Sequence, residues 1–478
     1  MITNQILWDR RWKAINNVLE LIQIRYEKAF QEEDAVKRDF TIFATLYQLQ
    51  LFGKAQFHFF HDGFFTKQIF DLAEIPQNDR TFQLPHYIAC HSFEEHVLYR
   101  TLDQIAEDAV VIQRASEQRI ISIQQAEDDN QDPEKAPFTL VDIDKLTYSA
   151  LRSVNDYLAN PRETVLTYFQ KSANVRVIPY APVAMIGIPI TSVGLHMGHG
   201  VAEDLLVIPH EVAHHLYWNG KANTNQTIQR ALTQKIGGNS VRRWTEEIFA
   251  DVVGCLIGGP AVARRFTELQ LTVIGTAFID PNTAYPTPAL RPLLLAYALD
   301  VMGHACIANE LRTLWETRLS ERMVYVNRAH LFAGYQIVDA VFAIINHHQI
   351  PACMYWSNGQ AQYDELYEQF TNRIPDLVNC VNENDLDPEN LNIQTSWRDM
   401  MMNVLGKSEL DDLPEDWTEA INSNNIQAAG RVNPISVDAA AWLRIYDFGG
   451  WITAGPQGGN ASGDPLPPPP PPSPLQQM

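Results

Sequence analysis

The sequence predicts an α+β fold that is predominantly helical, with a small sheet and helical regions on both sides of it. Three observations lead to this prediction. Apolar residues recur at three- and four-residue steps along most of the chain, which is the period of one helix face. One stretch, 174–192, is instead rich in β-branched residues and interrupted by prolines, which is typical of strands at a sheet edge or beside turns. The length of 478 residues suits two or three units, or a single large one.

The predicted elements follow from these patterns in order along the chain. Helices are predicted over 5–52, 91–125 and 142–171, strands within 174–192, and mostly helix from 203 to about 450, with a loop at 280–288. The first helix shows the basis clearly, since Trp8, Trp12 and Ile15 fall on one face.

Changes of composition divide the chain into regions. The acidic, polar segment 126–137 predicts an exposed linker. The resulting regions are an N-terminal helical region (1–125), the linker (126–137), a core (138–310), a C-terminal helical region (311–454) and a Gly/Pro-rich tail (455–478). The tail has almost no apolar anchor, so we expect it to be disordered, with its proline run in the polyproline II conformation.

Composition excludes several classes of function. Asp and Glu number 57 against 36 Lys and Arg, which gives a net charge of −21. Duplex nucleic acid and anionic membranes are recognised by basic surfaces, so neither is an expected partner. The five cysteines form no CxxC pair, which disfavours a disulfide framework and favours a reducing compartment. No window offers the roughly 18–20 uninterrupted apolar residues of a membrane span, and no signal core is evident, so we expect a soluble cytoplasmic protein.

A histidine motif near the middle of the chain carries the chemistry. His210 and His214 flank Glu211 in the pattern HExxH, with Pro209 beside the expected helix start and Asn219-Gly220 at its expected end. Residues four apart on a helix differ by about 40° around its axis, so both imidazoles point to one side and can bind one tetrahedral zinc. Glu211 lies beside the first ligand, where it can serve as a general base.

A second helix, predicted over 242–259, carries Glu246, Glu247 and Asp251, of which the last two share a face. A zinc site of this kind needs a third protein ligand, and a carboxylate from a later helix can supply it. A further carboxylate one turn on can hold a ligand histidine through its free ring N–H. The 33 residues from His214 to Glu247 (247 − 214) leave room for a helix, a loop and a return helix.

The segments HEVAHH and EEIFAD together resemble the glutamate zincins, or gluzincins, which are metallopeptidases defined by HExxH and a downstream ExxxD or ExxAD helix. The resemblance covers 174–292. It implies a zincin-like metallopeptidase core that holds one zinc ion per chain, with three ligands: His210, His214 and Glu247.

The same resemblance implies roles for neighbouring residues. Glu211 is the expected catalytic base, and Asp251 is expected to hold a zinc histidine, with His210 preferred. The pair Ala250-Asp251 is most similar to membrane-associated peptidases that process prenylated or misfolded proteins. Those enzymes carry transmembrane helices and this sequence predicts none, so we carry over their site and not their substrates.

Two further features are expected from the resemblance. Gluzincins stabilise the oxyanion through a Tyr, His or Arg beyond the glutamate helix. Tyr285 is preferred here, with Arg291 and His304 as the other candidates. An edge strand before the active-site helix binds an extended peptide by strand addition, and 181–191 occupies the corresponding position in the sequence.

The sequence therefore predicts a zinc-dependent metallopeptidase that acts on a protein or peptide substrate. One alternative is a non-catalytic zincin-fold interaction protein, closed by a fourth protein ligand such as His215 or His196. The helix wheel disfavours His215, which lies about 140° from His210. Another alternative is a zinc hydrolase with a non-protein substrate. The enzyme would be latent if the N-terminal helices or the linker covered its cleft, and the proline run is a candidate docking segment for a partner.

Overall fold

The computed structural model describes residues 4–30, part of 41–57, 93–128, most of 139–346, and 363–386. The gaps within the largest stretch are 159–162, 172, 177, 179–180, 190–201, 224–225, 238–240, 242–243 and 281–284. Several predictions fall on residues outside the described ones: the tail 455–478, most of the linker 126–137, residues 387–454 of the C-terminal helical region, residues 31–40 of the first helix, and His196.

The chain divides into two compact units. The first comprises 1–25, 46–109 and 392–478, and the second comprises 26–45 and 110–391. The HExxH motif lies in the second unit. Helix Phe93–Asp128 runs through residue 126, where the sequence places the start of the linker, and contributes its residues from 110 onward to the unit that holds the motif.

The described residues are mostly helical, as the sequence predicts. In chain order the α-helices are α1 (Asn4–Phe30), α2 (Phe93–Asp128), α3 (Leu140–Ser153), α4 (Ile208–Asn219), α5 (Ile228–Ile236), α6 (Thr245–Gly258), α7 (Pro260–Leu271), α8 (Arg291–Val301), α9 (Ala305–Glu321), α10 (Arg328–Phe342), α11 (Tyr363–Asn379) and α12 (Glu383–Leu386). A short 3-10 turn, Ala202–Val207, leads directly into α4. Helix α3 begins at a capping box, because Thr139 and Asp142 satisfy each other's backbone N–H groups.

A small mixed sheet accompanies the helices. Its strands are β1 (Thr164–Gln170), β2 (Asn174–Arg176) and β3 (Val183–Pro189), and a separate hairpin consists of β4 (Lys221–Asn223) and β5 (Gln226–Thr227). The strand order is β1-β3-β2, with β1 parallel and β2 antiparallel to β3. A predominantly helical α+β architecture is therefore confirmed.

Two predictions about this region are wrong. The helix predicted over 142–171 ends at Ser153, and Thr164–Gln170 within that range form β1. A short apolar run such as TVLTYFQ does not distinguish a strand from a buried helix by periodicity alone. The stretch expected to supply the edge strand, 181–191, supplies the central strand β3 instead. Its prolines bracket the strand, with Pro182 before it and Pro189 at its end, so the backbone between them pairs on both sides.

Side chains satisfy the outer edge of β1. The Gln118 amide donates to the carbonyl of Phe169 (2.9 Å) and accepts from its N–H (2.7 Å). At Thr167, the N–H donates to Asp144 (2.8 Å) and the carbonyl accepts from Arg119 (2.9 Å). Since unpaired strand edges are templates for adding another strand, helices α2 and α3 close this edge of the sheet.

Small residues bring α4 and α6 close together. A Cβ atom on Gly254 would lie 3.2 Å from the Cα and N atoms of His210, and one on Gly258 would lie 3.1 Å from Pro209. Helix α4 ends at Asn219, followed by Gly220, as the sequence predicts. The close contact places the side chains of the HExxH helix directly against those of the EEIFAD helix.

Candidate metal centre

Three side chains from α4 and α6 converge on one point. The Nε2 atoms of His210 and His214 are 3.0 Å apart, and they lie 3.7 and 3.5 Å from the carboxylate oxygens of Glu247. Both imidazoles are buried, and Glu247 is nearly so. Helix spacing brings the two histidines to one face of α4, and α6 supplies the carboxylate.

The spacing of these atoms fits a tetrahedral metal ion. Two ligands that each lie about 2.0–2.1 Å from a tetrahedral ion are about 3.3–3.4 Å from each other. The observed separations of 3.0, 3.5 and 3.7 Å bracket that value. Two imidazole nitrogens and one carboxylate oxygen also match a donor set that zinc uses in hydrolases. The cluster could therefore hold a metal ion.

A carboxylate supports each of the two imidazoles from behind. The Nδ1 atom of His210 lies 3.1 Å from Asp251, the residue that the sequence analysis assigns to this place. The Nδ1 atom of His214 lies 3.0 Å from Glu246, which the sequence analysis left without a role. The indole N–H of Trp218 donates to the same Glu246 oxygen at 2.8 Å. The Nδ1 atom of each imidazole thus lies beside a carboxylate, and both Nε2 atoms face the point of convergence.

Arg291 is committed to the carboxylates of this site. Its guanidinium donates to both oxygens of Asp251, at 2.6 and 2.7 Å, and lies 3.4 Å from Glu247. Burial alone would raise the pKa of Asp251, but the charge and hydrogen bonds of Arg291 and the hydrogen bond with His210 lower it to about 2. Arg291 therefore keeps Asp251 ionised, as a support for a ligand histidine requires.

The pKa values of the two histidines are shifted in opposite directions. Burial lowers the pKa of His210 to about 3, so its ring is neutral and available to a metal ion at neutral pH. Burial also acts on His214, but the charges of Glu247 and Glu246 outweigh it and raise the pKa to about 9. The neighbouring carboxylates therefore favour the protonated form of the His214 imidazole.

Glu211 is buried beside this cluster. The backbone N–H of Val175 in β2 donates to its carboxylate, and its Oε2 atom has no hydrogen-bond partner among the described residues. Burial raises the pKa of Glu211 to about 7; the His214 charge opposes that shift and the Glu247 charge adds to it. A buried carboxylate with one free oxygen next to a candidate metal site can accept a proton from water.

The three oxyanion candidates occupy different places. Burial and the charge of Glu247 raise the pKa of Tyr285, so this phenol lies within electrostatic reach of the cluster. The guanidinium of Arg291 contacts Asp251 and Glu247. His304 lies at the start of α9, where burial lowers its pKa. The structure thus brings Tyr285 and Arg291 to the site.

His215 faces away from the metal cluster, as the helix wheel predicts. Its Nε2 atom lies 2.7 Å from a carboxylate oxygen of Glu163, and its Nδ1 atom lies 3.2 Å from the amide nitrogen of Asn219. Both ring nitrogens are engaged there, so His215 does not supply a fourth ligand.

The chain matches no protein-family model, no curated protein and no solved structure. Any functional proposal therefore depends on the geometry of the site. Within the described part of the chain, no helix has both the length and the apolarity that crossing a membrane requires.

Proposed function

We propose that this protein is a zinc-dependent metallopeptidase with a gluzincin-type site, in which His210, His214 and Glu247 hold one zinc ion. The observation that carries the proposal is the convergence of the two Nε2 atoms, 3.0 Å apart, with the Glu247 carboxylate, whose oxygens lie 3.5 and 3.7 Å from them, beside the buried carboxylate of Glu211. Three protein ligands leave one tetrahedral position for water or substrate, which distinguishes a catalytic zinc site from a structural one.

In the proposed reaction each of these residues has a separate role. Bound zinc supplies a Lewis acid that polarises the scissile carbonyl and acidifies water. Glu211 accepts the proton of the attacking water and returns it to the leaving amine. In this proposal Tyr285 donates to the oxyanion that develops on the attacked carbonyl. Asp251 and Glu246 hold the imidazoles so that both Nε2 atoms stay directed at the ion.

The sheet supports a peptide as the substrate. Strand β2 is the outer strand on the side opposite β1, and Val175 in this strand contacts Glu211. An extended peptide that paired with β2 would place its backbone next to the general base. The edge of β1 is satisfied by side chains, so among the described strands β2 is the one that such a peptide would join.

Metal analysis and hydrolysis assays on matched variants test the proposal. Wild type should contain one zinc per chain, whereas His214→Ala should contain none. Glu211→Gln should keep its zinc and lose about 10²–10⁴-fold in turnover of casein or a peptide library, which is the usual contribution of a general base. Glu268→Gln, which alters a carboxylate paired with Arg264 on α7, serves as the control and should behave like wild type.

Four outcomes would contradict parts of the proposal. Wild type without stoichiometric zinc would exclude the metal site. Near-wild-type turnover in Glu211→Gln would exclude the role of Glu211. Zinc-dependent hydrolysis of small amides or esters, with no cleavage of any peptide, would favour the non-protein hydrolase. Zinc binding without any hydrolysis would favour the interaction protein.

A further inference from the structure

A second histidine–carboxylate pair lies on the other side of α4 and has no part in the proposed chemistry. His215 Nε2 and Glu163 Oε2 are 2.7 Å apart, and their side chains are only 2% and 4% exposed. His215 directly follows the ligand His214, whereas Glu163 directly precedes β1. The pair therefore joins the metal-binding helix to the sheet at a point that solvent does not reach.

The backbone around Glu163 is held from several directions. Arg152 of α3 donates to the Glu163 carbonyl at 2.6 Å, and the N–H of Thr164 donates to the carbonyl of Pro182 at 3.0 Å. The hydroxyl of Thr164 also donates to the Leu386 carbonyl after α11. The Glu163 carboxylate, which contacts His215, therefore belongs to a residue whose backbone is held in place by hydrogen bonds.

Hydrogen bonds define the form of His215. The Asn219 amide, one turn later on α4, donates to Nδ1 at 3.2 Å. With Asn219 donating to Nδ1, the Nε2–H of His215 donates to Glu163. Both contacts are made in a single orientation of the ring. The pair therefore fixes the orientation of the His215 imidazole as well as its distance from Glu163.

The metal site is sensitive to the rotation of α4. Side-chain atoms lie about 5–6 Å from a helix axis, and zinc–ligand distances hold to about 0.2 Å. A roll of α4 by about 2° therefore moves an imidazole nitrogen by the whole tolerance. Contacts of α4 with α6 act on the side of His210 and His214, and the pair with Glu163 acts on the other side.

We propose that His215 and Glu163 are positioning residues that set the rotation of α4 and, through it, the geometry of the metal site. This inference rests on the proposed zinc site. The energetics point the same way. A buried pair of this kind is often no more stabilising than well-packed apolar side chains of similar volume, so it contributes orientation where it contributes little stability.

Zinc affinity, measured by competition with a chromophoric chelator, tests the proposal on three variants of Glu163 and His215. Glu163→Gln keeps an acceptor at the same reach and should bind zinc within about threefold of wild type. Glu163→Asp shortens the reach by about 1.5 Å and should weaken zinc binding at least about tenfold. The apolar double variant Glu163→Leu/His215→Leu should weaken it similarly while keeping a cooperative melting transition. The visible spectrum of the cobalt-substituted protein should change in the Asp variant and not in the Gln variant.

A control separates positioning from general destabilisation. Leu319→Ala removes a buried side chain from a cluster around Trp315 that includes none of the metal-site residues. It should lower the melting temperature without changing zinc affinity or the cobalt spectrum.

The outcomes decide between the inference and the proposed function. Equal zinc affinity in the Gln and Asp variants would overturn the positioning role and leave the proposed function intact. Zinc affinity lowered by Leu319→Ala as much as by Glu163→Asp would also overturn it. A wild-type protein that binds no zinc would remove the proposed function and this inference together. If the double variant does not fold, the zinc affinities of Glu163→Gln and Glu163→Asp still test the positioning role.

Discussion

Glu246 accepts hydrogen bonds from both His214 and Trp218 on one oxygen. Because Asp251 lies beside His210, each imidazole of the site has a carboxylate of its own next to Nδ1. Partners of this kind fix the tautomer and raise the basicity of a ligand histidine. We expect Glu246→Ala to weaken zinc binding about 10–100-fold, and Glu246→Gln to weaken it less because an acceptor remains. Chelator competition at constant pH measures both variants.

The matched control for Glu246 is Glu268→Gln on α7. An Ala variant of Glu246 that binds zinc as tightly as wild type would show that the hydrogen bond to His214 is incidental. Equal losses in the Ala and Gln variants would show that the charge of Glu246, and not its capacity to accept hydrogen bonds, supports the ligand.

At the residue scale, the sequence predicted side chains that share a helix face and missed one that depends on packing. His210 and His214 converge because residues four apart lie on one side of a helix, and Asp251 follows from the same rule. Glu246 is adjacent to Glu247, so its direction on α6 differs by about 100°. Its contact with His214 depends on how α4 lies against α6, and no local pattern contains that information.

The contact between α4 and α6 depends on glycine at the element scale. Gly254→Ala would place a Cβ 3.2 Å from the backbone of His210, which can move only with the whole helix. We expect a loss of about 1–3 kcal/mol in the free energy of unfolding and a clear decrease in zinc affinity. Thermal melting and chelator competition measure the two effects.

Gly334→Ala is the corresponding control, because the nearest atoms there belong to the side chain of Leu294 and not to backbone. It should cost stability without changing zinc affinity. An alanine at 254 that left zinc affinity unchanged would indicate that the two helices are not held at a critical distance.

A hydrogen bond between α8 and α10 predicts a pH effect. The Tyr297 hydroxyl donates to Asp339 at 2.8 Å, and this bond, assisted by burial, raises the pKa of Tyr297 to about 12. The neutral phenol is the stabilised form, so the contribution is complete below the unfolded pKa of about 10 and disappears as the pH rises through 12. In Asp339→Asn, ultraviolet titration should show one tyrosine with a lower pKa. An unchanged titration curve would exclude this assignment.

The elements themselves were predicted unevenly, for a physical reason. Helix α4 was located closely because Pro209 marks its start and Asn219-Gly220 marks its end. Strand β1 was mistaken for the end of a helix because seven apolar and polar residues fit either period. The central position of β3 could not be predicted, since the sequence does not show which strands lie on its two sides.

At the scale of the whole molecule, the second unit depends on residues that lie before the predicted core. Arg119 of α2 forms a buried ion pair with Asp144 of α3, at 2.7 Å. Removing one partner of a buried pair costs about 3–5 kcal/mol, because the other charge stays buried without its partner. Urea denaturation of Arg119→Leu should show a loss of this size in the free energy of unfolding. A variant as stable as wild type would contradict it.

The same pair affects how latency should be tested. A chain beginning at residue 138 would lack Gln118 and Arg119, and would leave Asp144 and the edge of β1 without these partners. Low activity in that chain would then report a damaged unit, and not a function of the missing helices. The latency hypothesis is better tested by releasing the N-terminal region with a protease site placed before residue 93.

Closure of the β1 edge has a consequence for self-association. Because α2 and α3 occupy one side of the sheet, a second copy of the protein that paired strand to strand would do so along β2, next to Glu211. If the proposed function holds, a dimer formed along this described strand would exclude a peptide substrate from the candidate metal site, and activity per molecule would fall as the protein concentration rises. The protein would then act as its own competitive inhibitor.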